Sequence, residues 1–159
     1  MVHILFLMRH RCSEIEKWII IYANRARKKR DIKPLRSNFG LKKLARNHSC
    51  RMANTRRIWH GNGVFKTKSS ISKSSFLDFI ISLFYSGISG ENVGLMGLGY
   101  VKGFKRKIRT DKDIALAQHL SWMKSSGHRV NILNPSFRLI GAGVKKRGNG
   151  FYCTQIFYG

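Results

Sequence analysis

The chain has 159 residues, 43% of them hydrophobic, with 3 Trp, 5 Tyr and 10 Phe. That is enough apolar material for one domain with a real core, and it excludes a disordered tail. Thirty-one Lys and Arg against seven Asp and Glu leave a formal charge of +24, a balance that attracts nucleic acid, anionic lipid or acidic polymers.

The charge is spread along the sequence, with clusters at Arg25 to Arg30, Lys42 to Lys43 and Lys102 to Arg109, so it modifies a function rather than defining one. No apolar run approaches the ~20 residues that span a bilayer. Met1 to Met8 is apolar but short, contains His3 and lacks a basic lead and a small-residue cleavage site, so it does not make a convincing signal peptide. Cys12, Cys50 and Cys153 allow at most one intrachain disulfide and show no zinc-finger spacing; buried free thiols are the commoner arrangement.

Residues 13 to 30 predict the first helix. Ser13 and Glu16 make a capping-box pattern, and Ile15, Trp18, Ile19, Tyr22, Ala23 and Ala26 recur at helical spacing. Its basic end, Arg25 to Arg30, suits the negative pole of the helix dipole and reads as a solvated terminus. Lys33-Pro34-Leu35 breaks the chain, and Asn38 caps a second helix reaching about Asn54. On that helix Leu41, Leu44, Ala45, His48 and Met52 share one face, which makes His48 a hydrogen-bonded core or boundary residue rather than a ligand.

A Gly/Ser/Lys-rich loop over 61–75 and a short apolar helix, Phe76 to Phe84, come next. Then follows a glycine-rich stretch, Ser86 to Gly90, and with it Glu91-Asn92-Val93-Gly94. Glu91 is the only acid between Asp78 and Asp111, and an isolated acid among glycines calls for a specific reason. The glycines at 94, 97 and 99 match neither a P-loop nor a dinucleotide fingerprint. Residues 101 to 109 read as a basic surface loop. Thr110 and Asp113 start a helix with Ile114, Ala117, Leu120 and Met123 facing inward; it ends near Gly127, which leaves His128 to project from a turn. Asn134-Pro135 stops a further short turn. Alternation from Phe137 to Val144, a turn at Arg147-Gly148-Asn149-Gly150 and a return over Phe151 to Tyr158 predict a closing hairpin.

Several motifs stand together in order. These are Leu44-Ala45 with His48-Ser49 and Met52-Ala53, then Trp59-His60, then Gly90-Glu91-Asn92. After them come Trp122 with Ser126-Gly127-His128-Arg129 and Asn131-Ile132-Leu133, then Ile140-Gly141-Ala142-Gly143-Val144 and Tyr152-Cys153-Thr154-Gln155-Ile156-Phe157. Over Ser13 to Gly159 the chain thereby resembles the CAP superfamily, also called the SCP domain, which unites cysteine-rich secretory, antigen-five and pathogenesis-related proteins. Its low cysteine content resembles the prokaryotic branch. Residues 1–12 then form an N-terminal extension to a single domain over 13–159.

The resemblance implies an α+β fold, a three-layer α-β-α sandwich with a small, mostly antiparallel sheet. It also implies an open cleft where His60 and His128 hold a divalent metal, often zinc, with Glu91 as the neighbouring carboxylate. Neutral imidazoles suit zinc, and an adjacent carboxylate can orient a ligand or a metal-bound water. Members with a fuller site carry a second acid on the helix that holds Trp122; Ser121 to Ser126 has none. Two readings of the trio stand side by side: a metal site, or a hydrogen-bonded network that fixes three loops. Asn92 and Trp122 read as structural support, Asn92 fixing a loop and Trp122 filling the core; Arg129 either pairs with Glu91 or stays solvated.

The family's links to sterol and lipid, and its usual secretion, imply an extracellular, non-enzymatic binding module with a small or lipid ligand. The alternatives are a metal-dependent hydrolase acting through His60, Glu91 and His128, with Glu91 the candidate catalytic group, or a polyanion binder driven by charge, nucleic acid included.

Overall fold

The computed structural model describes residues 10–61, 87–101, 104 and 107–159. The chain runs through α1 (Cys12–Lys28), β1 (Arg36–Ser37), α2 (Phe39–Thr55), β2 (Ser89–Gly97), α3 (Asp111–Lys124), α4 (Ser126–Leu133), β3 (Leu139–Arg147) and β4 (Gly150–Tyr158). Of the expected loop over 61–75 only Gly61 is described, and the expected helix Phe76 to Phe84 lies outside the described residues. The sheet order is β1-β3-β4-β2; β1 pairs parallel to β3 and the other pairs are antiparallel. Helix α2 covers one face and α1 with α3 the other, which is the three-layer α-β-α arrangement of an α+β sandwich.

The hairpin is the frame. Gly148, at φ +56°, takes the left-handed conformation its turn needs. Alternation along β3 then sends Ile140, Ala142 and Val144 to one face, where they join Ile15, Ile19 and Ala23 of α1 and Ile114 and Trp122 of α3 in the main core. On the other face stand Gly141 and Gly143. A Cβ at either would lie 2.2 Å from the backbone of Leu41 or Ala45, so only glycine lets α2 rest directly on the strand. Ser49 of α2 secures this approach by donating to the Gly143 carbonyl at 2.9 Å. As expected, Asn38 caps α2, its Oδ1 accepting from Leu41 N at 2.9 Å.

Four local expectations are corrected. Ser13 and Glu16 form no capping box: α1 starts one residue earlier, at Cys12, with Arg11 as its N-cap and no side-chain cap. Glu16 is instead buried. Its carboxylate takes Arg46 Nε at 2.8 Å and Nη2 at 2.7 Å from α2, and the Val144 amide at 3.2 Å. Strand β1 is too short to cover β3 at Val144, and the ion pair closes that exposed edge from both sides. Nor is the basic end of α1 wholly solvated. Arg27 is fully buried and donates to the carbonyls of Lys33, Ile132, Asn134 and Phe137 at 2.8–3.1 Å, tying α1 to the end of α4. Burial, then the neighbouring charge of Arg138, lowers its pKa to about 10, which still leaves it charged at neutral pH.

The glycine-rich stretch around Glu91 is not a loop but β2, paired with β4 along its whole length. Its glycines admit neighbours: a Cβ at Gly94 would lie 2.2 Å from Gln118, and one at Gly90 2.8 Å from Asn131. Finally, α3 does form the expected capping box of Thr110 and Asp113, but Leu120 is 40% exposed. Helix α3 is sandwiched between α1 and β2 and buries Gln118 and His119 in Leu120's place, so its burial does not follow hydrophobicity. Cys12, Cys50 and Cys153 are all free thiols, and burial pushes that of Cys153 above its usual range.

Candidate functional site

The site grows from the edge strand β2. Successive residues of a strand face opposite sides, so Glu91 looks toward α2 while Asn92 looks toward α4. On the Asn92 side, its Nδ2 donates to the His128 carbonyl at 3.0 Å and to Gln155 Oε1 at 3.1 Å. Its Oδ1 accepts from Asn131 Nδ2 at 2.9 Å, and Asn131 also donates to the Glu91 carbonyl at 3.1 Å. Trp122, buried in the core, donates from Nε1 to the Val93 carbonyl at 2.9 Å. Side chains of α3 and α4 thereby occupy carbonyls of the edge strand and hold α4 against it.

This docking decides where His128 sits. Helix α3 ends at Lys124, Ser125 is extended, and α4 begins at Ser126, so Gly127 does not terminate the long helix. His128 lies in the first turn of α4 instead of on a loop, and open space at Gly127 shows no close approach that needs a glycine. Arg129 does not pair with Glu91; it stays partly exposed, and its Nη1 donates to the Met123 carbonyl at 3.0 Å, at the end of α3.

On the Glu91 side, Oε2 accepts from the Gly61 amide at 2.7 Å and stands 3.3 Å from His60 Nδ1. The His60 ring faces that of His128, with centroids 6.0 Å apart and planes 32° from parallel. Burial, and then the charge of His60, lower the pKa of His128 and favour its neutral imidazole. His60 is exposed at the surface, while the Glu91 side chain keeps only 8% of its area accessible. Among the described residues no three His, Cys, Asp or Glu side chains gather into one metal-binding group.

His48 completes the floor. A carbonyl only accepts and a guanidinium only donates. With Trp59 O 2.8 Å from His48 Nε2 and Arg51 Nη2 3.4 Å from Nδ1, the proton of the neutral ring therefore sits on Nε2. Nε2 also lies 3.8 Å from Glu91 Oε1. An open cleft of about 880 Å³ runs over this floor, with Asn47, His48, Arg51, Trp59, His60 and Glu91 among its walls; His128 is not among them. The sequence places His48 on a buried face, and the structure adds that the same ring lines the cleft. Asn47 and Arg51 escaped notice, although their spacing of one helical turn was a usable signal.

The CAP family, described as the cysteine-rich secretory protein family, matches residues 21–157. The uncharacterized protein YkwD of Bacillus subtilis is 31% identical over 147 residues, 92% of this chain and 48% of its own length, so the chain spans about half of that relative. An extracellular protein of Bacillus anthracis containing an SCP domain shares the fold at a TM-score of 0.59 and 22% identity, over 92% of this chain and 40% of its own. An outer surface protein of Borrelia burgdorferi superposes at a TM-score of 0.62 and 16% identity, over 93% of this chain and 94% of its own. These matches agree with the motif order and the three-layer fold: the chain is a prokaryotic-type member of the CAP family.

Proposed function

We propose that this CAP domain is a binding module, with its cleft beside a divalent-metal site formed by His60 and His128. The observation that carries the reading is the orientation of His60: Glu91 Oε2 lies by Nδ1, which leaves the lone pair of Nε2 free on a ring that faces His128. A carboxylate behind a histidine in this way fixes its tautomer and raises its basicity toward a metal. The spacing fits as well. Zinc–nitrogen bonds of about 2.0–2.1 Å put the centroids of two imidazoles on one zinc about 5–6 Å apart, against 6.0 Å here. Glu91 acts as the orienting carboxylate, and the metal, once held, supplies a Lewis-acidic point for an oxygen or anion of the ligand.

A binding role is favoured over hydrolysis because Glu91 Oε2, the carboxylate oxygen nearest the histidine pair, is already engaged by Gly61 and His60. The helix bearing Trp122 adds no acid between Ser121 and Ser126. The surface supports a second, electrostatic contribution: among the described residues, Asp31 is the one exposed acid. Such a surface favours an anionic polymer, lipid surface or nucleic acid as a wider partner. Relatives described as extracellular or outer-surface proteins support action outside the cell.

The test is calorimetric titration with zinc at neutral pH. One site per chain is expected, weakened at least about tenfold in His60→Ala and in His128→Ala. Absence of binding in the unmodified protein sinks the metal site, and metal-dependent turnover of an ester or peptide would move the reading to hydrolase.

A further inference from the structure

The charged groups of the cleft are unevenly satisfied. Glu91 Oε2 has two partners, but Oε1 is buried and has no hydrogen bond among the described residues. The side chain retains 8% exposure, and it forms part of the cleft wall. The nearest imidazole nitrogen, His48 Nε2, is 3.8 Å away and spends its proton on the Trp59 carbonyl. A buried carboxylate oxygen without a donor is costly, and a ligand that brings one removes the cost.

The complementary group sits on the wall above. Arg51 is exposed, lines the cleft and touches His48 Nδ1 at 3.4 Å; no carboxylate lies within ion-pair distance of it among the described residues. Asn47, one turn earlier on α2, adds an amide to the same wall. Measured through the His48 ring, Arg51 and Glu91 Oε1 are separated by at most about 9 Å. Gly61 packs beside His48 and Glu91: a Cβ there would lie 2.9 Å from His48 Nδ1 and 3.2 Å from Glu91 Oε1, so any larger residue would crowd them.

We propose that the cleft takes an amino-carboxylate ligand, of the chemistry of a short peptide: Arg51, with Asn47, holds the carboxylate, and Glu91 Oε1 receives the ammonium or amide N–H beside Gly61. A simple anion meets Arg51 but leaves Glu91 unpaired and repels it. A simple cation does the reverse. Only a ligand carrying both groups satisfies both walls at once. An extended chain advances about 3.3–3.6 Å per residue, so two residues span the available separation, whereas the two charges of a free amino acid lie closer together. Arg51 is thus the specificity-determining residue of the cleft. The inference rests on the cleft being a binding site and is independent of metal occupancy.

The test is a titration of the ¹⁵N-labelled protein with glycylglycine, glycine, acetate and glycinamide, followed by amide shifts of His48, Arg51 and Gly61. Glycylglycine is expected to saturate these shifts with at least about tenfold higher affinity than acetate or glycinamide. Arg51→Gln and Gly61→Ala should each remove that advantage, while zinc binding by Arg51→Gln remains as in the unmodified protein. Glycine binding as tightly as glycylglycine overturns the short-peptide assignment, because the two charges of a free amino acid lie too close together to reach both walls. Equal affinity for glycylglycine and acetate, or an Arg51→Gln variant that binds glycylglycine unchanged, overturns the proposal. If none of the four probes binds but zinc does, the peptide inference falls alone; if zinc fails too, the site reading falls with it.

Discussion

Glu16 and Glu91 lie at opposite margins of the same sheet, both nearly sealed from water, with 2% and 8% of their side chains accessible. Glu16 is closed on every side, with Arg46 bidentate on it, Lys42 at 3.7 Å and the Val144 amide filling what is left. Glu91 is satisfied on one oxygen and left buried without a donor on the other, in a side chain that borders the cleft. The first carboxylate has nothing left to offer a ligand and serves to join two helices around a strand edge. The second keeps an unspent acceptor at the floor of a cavity. In a chain with seven acids the difference in hydrogen-bond satisfaction, more than burial, separates a staple from a candidate site.

The contrast can be broken most severely at Glu16. Glu16→Ala strips Arg46 and the Val144 amide of their partner, and a loss of about 3 kcal/mol is expected, at the low end for a buried pair because Arg46 is half exposed. In a domain of this size that corresponds to a fall in Tm of roughly 10 °C in a thermal melt. A Glu16→Ala protein that melts with the parent would end the staple reading.

A comparable loss is expected in acid from a group that belongs to neither carboxylate. His119 is buried against Tyr22, with ring centroids 6.0 Å apart, and burial lowers its pKa from 6.5 to about 4. The folded state refuses a proton that the unfolded chain accepts. The stability it lends is complete above pH 6.5 and is lost as the pH falls to about 4, amounting to about 3 kcal/mol. Denaturant unfolding at pH 7 and pH 4 should show this fall in the parent and not in His119→Phe, which keeps the ring and removes the titration. Equal pH dependence in the two proteins would show that His119 is not the cause.

Replacing both partners of the staple, as in Glu16→Leu with Arg46→Leu, should recover most of the damage of the single change. About 1 kcal/mol is expected to remain, the cost of the bare Val144 amide. A double variant no more stable than Glu16→Ala argues that the two effects simply add. The smallest change in stability belongs to Glu91→Gln, within about 1 kcal/mol, because one of its oxygens has no donor to lose. The same substitution should nevertheless weaken zinc binding about tenfold by releasing His60. A large fall in Tm together with unchanged zinc affinity would reverse the roles assigned to the two carboxylates.

The legible parts of this fold are those whose signals close over a few residues. Asn38 caps α2 from three residues away, Thr110 and Asp113 cap α3 within one turn, and the Gly148 turn sets the β3–β4 pairing. Where a residue has two possible partners, the nearer one misleads. Ser13 and Glu16 have the spacing of a capping box, yet Glu16 is claimed by Arg46 across the sheet edge. Arg27 looks like one more cation in a solvated run until four distant carbonyls converge on it. The run of glycines at β2 hides a strand because its pairing is supplied by β4, more than fifty residues downstream.

The same division holds for the site. The order of motifs alone determined the family and the sandwich, and it singled out His60, Glu91 and His128 as candidates, because those features are written in residue type and spacing. The tertiary structure alone decided which oxygen of Glu91 is satisfied, that His48 and Arg51 belong to the cleft, and that His128 is carried to His60 by a helix pinned through Asn92 and Asn131. Those outcomes depend on which face of an edge strand meets which helix. That choice is made by long-range competition for hydrogen bonds and buried surface, and a local stretch of sequence does not contain it.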